Sequence, residues 1–263
     1  MGKESTKCKI IYVAGYGRSG STLIDIVLSN SSNITTVGEI SNIFNELSDI
    51  TNLKYSFYLN ETLNDLNLKG KDIQSLKNAD NIFGVYNSIY SDFWSLFFNK
   101  IKHDENIEFI IDSSKTTWKT LFRPYNLIKS GFEINIVFLK APYSKVWKSA
   151  LKGSNKTLDS SPNKNLNNHY IFAIKSIFSK FLIDFLTKII YSRRKYKLVK
   201  VDYFDFINET ENIIKKLSVA FELNFKNLNN KIRKNEFLIS GGYMGNRLRK
   251  ENHTLKIKKT VYD

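Results

Sequence analysis

Lys9-Ile-Ile-Tyr-Val-Ala-Gly-Tyr-Gly-Arg-Ser-Gly-Ser-Thr22 is the stretch on which the fold turns. Its first six residues are a short apolar run that stops at glycine, the pattern of a parallel strand buried on both faces. Thr22 to Ser29 then reads as a helix with Leu23, Ile26 and Val27 on one face. A glycine-rich loop between a strand and a helix gathers backbone N–H groups and a helix N-terminus around one point, which suits a phosphate-like anion. Two nucleotide-binding signatures overlap in it. Gly15, Gly17 and Gly20 satisfy the dinucleotide-binding spacing, with Glu39 after the next strand as a ribose partner. Gly15-x-x-x-x-Gly20-x-Thr22 is a Walker A loop in which Ser21 stands where the lysine belongs. Phe109-Ile-Ile-Asp112 resembles the accompanying magnesium-binding strand. Two observations oppose the first two readings. A dinucleotide turn has no need of a cation and a row of hydroxyls, which Arg18, Ser19, Ser21 and Thr22 supply. A nucleoside-triphosphatase loop needs its lysine on the β/γ-phosphates, and serine cannot replace that charge.

Outward from the loop, apolar strands alternate with helices. Ile34 to Val37, Phe109 to Ile111, Ile134 to Leu139 and Lys197 to Val201 read as further short strands. Asn42 to Lys102 is mostly helical, with an aromatic amphipathic stretch from Phe83 to Phe98 that is either a core helix or the lining of an acceptor pocket. Pro142 precedes a helix to about Leu151, a long helix ends near Arg193, and another runs from about Glu209 to Phe221. Such alternation predicts an α/β fold: a central parallel sheet of about five strands in three layers, with helices on both faces. There are no repeats and no clean linker, so residues 1–263 read as a single domain. Within it, residues 1–8 form a polar leader and residues 153–168 an exposed loop or lid.

Of the 263 residues, 40 are Lys or Arg and 25 are Asp or Glu, leaving a net charge of +15 that favours anionic ligands. Only seven of the 40 are Arg, so the position of each Arg carries information. A hydrophobic fraction of 42% is that of a globular chain and excludes a disordered one. Cys8 is the only cysteine, which excludes an intrachain disulfide and fits a reducing compartment. Ile171 to Tyr191 is the most apolar segment, but Lys175, Lys180, Asp184 and Lys188 interrupt it, so it reads as amphipathic and not as a membrane span. No signal peptide precedes the first strand, and the expected location is cytoplasmic. Gly2 with Thr6 formally matches an N-myristoylation pattern, with Cys8 nearby for a second acyl chain. His103, His169 and His253 are scattered and offer no metal site.

The loop resembles that of the sulfotransferases that use 3'-phosphoadenosine 5'-phosphosulfate (PAPS), in their bacterial and tyrosylprotein types. Arg18-Ser-Gly-Ser-Thr-Leu23 is similar to their 5'-phosphosulfate loop, in a fold related to the P-loop kinases. The resemblance continues, in the same order, through Val37-Gly-Glu39, Asp112-Ser-Ser-Lys115 and Gly245-Asn246 with Arg249. It implies that Gly17, Arg18, Ser19, Gly20, Ser21 and Thr22 hold the phosphosulfate and that Lys115 contacts the transferring group. Arg247 and Arg249 would close on the 3'-phosphate side. The reaction implied is transfer of a sulfuryl group to a hydroxyl of a carbohydrate, lipid or small molecule, without a metal. Fixed cations and N–H donors suit it, because negative charge spreads over the leaving phosphate and the equatorial oxygens.

The chain departs from that pattern at three places. The family's 3'-phosphate segment begins Arg-Asp-Pro and carries a Ser eight residues on; here these are Lys140-Ala-Pro142 and Lys148, which keep the charge without arginine's two-pronged geometry. Thr117 stands where cytosolic members have a catalytic His, which moves the general base to Glu39, in the Gly-Glu region used by the tyrosylprotein type. Glu39 is equally readable as an ion-pair partner of Arg18 or Lys115. In Val201-Asp-Tyr203, Val201 occupies the position of a nucleotide-facing tyrosine. The rival functions are a P-loop kinase and a catalytically silent protein that binds an anion or nucleic acid. No basic–aromatic motif of the RNA-binding kind favours nucleic acid.

Overall fold

The computed structural model describes residues 8–45, 55–151, 166–191, 196–239 and 254–259. Five strands form one parallel sheet: β1 (Lys9–Ala14), β2 (Ile34–Gly38), β3 (Phe109–Asp112), β4 (Glu133–Lys140) and β5 (Lys197–Asp202). Their order is β2-β3-β1-β4-β5, which puts β1 in the middle. The helices are α1 (Ser21–Leu28), α2 (Ser56–Asp65), α3 (Gly70–Ala79), α4 (Ser88–Glu105), α5 (Arg123–Lys129), α6 (Tyr143–Leu151) and α7 (Leu166–Tyr191). They continue with α8 (Tyr203–Asn208), α9 (Thr210–Phe221) and α10 (Leu228–Lys234). A small antiparallel pair, β6 (Phe237–Leu238) and β7 (Thr254–Leu255), lies outside the sheet. The parallel α/β architecture expected from the strand–helix alternation is the one observed.

The period of two along β1 divides the core. Ile10, Tyr12 and Ala14 face one side with Tyr90, Phe93, Trp94, Phe97 and Phe98 of α4, while Ile11 and Val13 face the other with α1, α9 and α10. The aromatic stretch of α4 is therefore core, and Phe83, which precedes the helix, is exposed. Three local expectations change. Cys8 is not part of a polar leader: it is fully buried beside Ile10, and burial pushes its thiol up to about 12, out of reach of acylation. The loop expected over residues 153–168 stops earlier, because α7 already begins at Leu166; the rest of that segment lies outside the described residues. Val201 points into the core and not toward a ligand.

The most demanding group in the core is Arg123, whose side chain is wholly buried. Its Nε donates to Asp112 Oδ2 at 2.6 Å and its Nη1 to Asp80 Oδ2 at 2.9 Å, and its guanidinium lies 4.1 Å from the centroid of the Trp94 ring. Tyr90 Oη and Asn126 Nδ2 donate to the other Asp80 oxygen. Burial alone would lower the guanidinium pKa, but Asp112, Tyr90 and Asp80 outweigh it and hold the pKa above the ordinary arginine value. Removing one partner of such a network leaves the other charges unpaired away from water. Arg123→Ala is expected to cost about 3–5 kcal/mol of unfolding free energy in a urea titration. A loss below about 1 kcal/mol, the size of an exposed pair, would contradict this account of the core.

Candidate functional site

All five strands of a parallel sheet end on the same edge, and the chain reverses its direction of winding at β1, which opens a crevice there. Each strand end contributes to what lines it. β1 runs into the glycine-rich loop. Gly15 has φ +150°, and a Cβ there would meet Leu139 O at 2.7 Å; Gly20, with φ +99°, caps α1 where a Cβ would strike the Tyr203 ring at 2.6 Å. Only glycine fits these two positions. Arg18 adopts the left-handed conformation with φ +71°, and Ser19, Ser21 and Thr22 are buried. Ser19 Oγ has no hydrogen-bond partner among the described residues.

β3 runs into a strap, Ser113 to Thr116, that is hydrogen-bonded to everything around it. Thr116 N donates to Gly15 O and Gly15 N to Thr116 Oγ1, at 3.0 and 3.1 Å. Ser113 N donates to Gly38 O at 2.9 Å and Ser113 Oγ to Asp25 Oδ2 of α1 at 2.6 Å. The strap brings Lys115 against the loop: a Cβ on Gly17 would touch Lys115 Cδ at 3.6 Å. Lys115 Nζ lies 2.6 Å from Oε1 of Glu39, which follows β2 and is buried. Of the two roles read for Glu39, the ion pair is thus present, and its partner is Lys115. Thr117 bonds to Thr120 within its own turn. Asp112, the residue that resembled a magnesium ligand, spends Oδ2 on Arg123 and Oδ1 on Ser114 N, so neither oxygen faces the crevice.

The other wall comes from the ends of β4 and β5. Lys145 Nζ donates to Arg18 O at 3.0 Å and lies 3.4 Å from the centroid of the Tyr203 ring. Burial, and then the nearby Lys180 charge, lower its pKa from 10.5 to about 8. The Arg18 guanidinium reaches across to Ser149 of α6, donating to its carbonyl at 2.6 Å and to its Oγ at 2.9 Å, with the Phe172 ring 5.7 Å away. Ser144, Lys145, Lys148, Ser149, Tyr203 and Lys258 line a cavity of about 380 Å³ here. Of the residues singled out in the sequence, the structure brings the loop, Lys115 and Glu39 together on one side and Lys148 onto this cavity. Lys140 is exposed at the end of β4 and does not line it. Arg247 and Arg249 lie outside the described residues.

No protein-family model matches this chain, and no curated protein does. Solved structures do. A sulfotransferase domain from the curacin biosynthetic pathway superposes with a TM-score of 0.53 at 17% identity, covering 92% of this chain and 80% of that one. A sulfotransferase from Mycobacterium avium superposes with a TM-score of 0.50 at 10% identity, covering 87% of this chain and 67% of its own. The chain has the fold of a sulfotransferase domain.

Within that sulfotransferase fold, two residues of the crevice escaped the sequence reading. Tyr203 stands two residues beyond Val201, past the end of β5, as the first residue of α8. Lys145 sits in a lysine-rich helix where nothing in composition marks it out, although three-residue spacing from Lys148 places both on one helix face. A lysine held near pH 8 gives the site a titratable cation. Affinity for adenosine 3',5'-bisphosphate is expected to fall roughly tenfold between pH 7 and pH 9 as Lys145 loses its proton, after phosphate ionisation is complete. The sign follows from the cation being present only below its pKa. Lys145→Met should abolish that slope in calorimetry, and a flat profile for the unsubstituted protein would remove Lys145 from the site.

Proposed function

We propose that this chain is a PAPS-dependent sulfotransferase that places a sulfuryl group on a hydroxyl of its acceptor. The observation that carries this reading is the pairing of a lysine-free glycine loop with Lys115, delivered from the neighbouring strand end, while Asp112 is tied to Arg123. A kinase would need the opposite arrangement, with a lysine in the loop and an aspartate open to magnesium. The residues present fit the co-substrate: Ser19 carries a buried hydroxyl in need of a partner, and a cavity lined by three lysines adjoins the loop.

PAPS when bound supplies an activated sulfuryl group on a good leaving phosphate. The backbone N–H groups of Gly17, Arg18, Gly20, Ser21 and Thr22, with the hydroxyls of Ser19, Ser21 and Thr22, would hold its 5' end at the α1 N-terminus. Lys115 and Arg18 would stabilise the charge that grows on the transferring oxygens and the leaving phosphate. Glu39, next to Lys115, would take the acceptor's proton. Lys145, Lys148 and Ser149 would meet the 3'-phosphate, with Arg247 and Arg249 completing that side as the family resemblance implies; Lys140, exposed at the end of β4, stands outside that cavity. Ser149 then serves for the missing serine, displaced by one residue from its usual spacing.

Calorimetry with adenosine 3',5'-bisphosphate beside ATP-magnesium tests the class. The bisphosphate is expected to bind and ATP-magnesium to bind far more weakly; the reverse preference would overturn the reading in favour of a kinase. Glu39→Gln separates the two roles of that residue. Release of the bisphosphate from PAPS with acceptor present should fall roughly 10²–10⁴-fold while bisphosphate affinity is kept. Intact turnover with a lowered melting temperature would leave Glu39 as an ion-pair partner alone.

A further inference from the structure

The long helix α7 is amphipathic in the wrong direction for a helix whose apolar side faces the core. Its buried positions are Ala173, Ser176, Lys180, Ile183, Thr187 and Tyr191, of which four are small or polar. Its outer face carries Ile171, Ile174, Phe178, Phe181, Phe185 and Ile189, a stripe at three- and four-residue spacing that is about half or more exposed at every position. The stripe's three phenylalanines, Phe178, Phe181 and Phe185, are 64%, 56% and 56% exposed. With Tyr143 and Trp147 of α6, part of the stripe forms an apolar groove of about 640 Å³. Stripes of this size on a protein surface mark a place where something docks.

The charges on the helix decide what that is. Residues 166–191 contain one acid, Asp184, which is paired with the buried Lys180. The other two charges, Lys175 and Lys188, are both exposed. A second copy of the chain offers apolar side chains for the stripe but no acid from this helix for Lys175 and Lys188, since Asp184 is taken by Lys180. A lipid surface has both complements, acyl chains for the stripe and phosphate headgroups for the lysines, and the chain's net charge of +15 adds to the attraction. The stripe runs roughly 27 Å along the helix axis, from 18 rises of about 1.5 Å. Among the described residues no helix is long and apolar enough to cross a membrane, so the geometry is that of a helix lying in the interface.

We infer that the outer face of α7 docks the protein on the surface of an anionic lipid bilayer. The N-terminal end of α7 adjoins the crevice, where the Phe172 ring lies 5.7 Å from the Arg18 guanidinium. This inference is independent of sulfuryl transfer, and its test reads binding alone. The full chain is sedimented with phosphatidylserine–phosphatidylcholine vesicles and with phosphatidylcholine vesicles. The expected result is partition into the anionic vesicles that is at least about tenfold stronger than into the neutral ones. Phe178→Gln with Phe181→Gln should weaken it at least tenfold at unchanged melting temperature, since both rings are already exposed. Lys175→Ala with Lys188→Ala, which leaves the apolar stripe intact, should weaken it about tenfold or more. Three results would overturn the inference: no partition into anionic vesicles, partition unchanged by either pair of substitutions, or a dimer in solution that the phenylalanine pair dissolves.

Discussion

Everything at the candidate site rests on the burial of one cation. Arg123 is placed with its full charge in a core of aromatic rings, a position that is tolerable only if carboxylates meet it there. Asp112 and Asp80 do so, and each is thereby fixed in space. Asp112 is the last residue of β3 and the residue before the strap, so pinning its side chain also pins the backbone that leads to Lys115. The strap then bonds to the glycine loop, to α1 and to the turn after β2. Rigidity passes from a buried ion pair to an exposed-edge lysine through four residues of chain. The same pairing removes Asp112 from metal chemistry, so one interaction both builds the site and limits the reactions it can host.

The crevice divides its cations by surroundings. Lys115 is held beside a carboxylate, whereas Lys145 is desolvated beside an aromatic ring and another lysine, which is why its proton is held weakly. Arg18 spans the two walls by bonding Ser149 on α6 from the loop that follows β1. Anions brought to this edge thus meet a lysine on the β3 side and a titratable one on the β4 side. Preorganised donors of this kind are effective because they need no reorientation as charge moves.

The sheet and its loop were legible in the sequence because both are local. Short apolar runs that stop at glycine leave few alternatives to parallel strands, and Gly15 and Gly20 are required by close contacts that no other residue could make. The resemblance added Lys115 and Glu39, which lie far from the loop in sequence and adjoin it in space. What could not be read were pairings across long separations. Nothing adjacent to Arg123 in the sequence marks its charge as buried; its partners Asp112 and Asp80 lie 11 and 43 residues away. Tyr203 is found only once the turn from β5 into α8 brings its ring against Gly20 and Lys145. In α7 the periodicity revealed an apolar face but not its direction, since a helix pattern is the same whether the face meets the core or the outside.

On the function proposed, the five strand ends converge on one bisphosphate. A crystal structure of the protein with adenosine 3',5'-bisphosphate tests it directly. The account expects the 5'-phosphate among the N–H groups of Gly17, Arg18, Gly20, Ser21 and Thr22 with Lys115 Nζ in contact, and the 3'-phosphate in the cavity of Lys145, Lys148 and Ser149. A nucleotide bound elsewhere, or bound with Lys115 still paired to Glu39 and away from the phosphates, would contradict it.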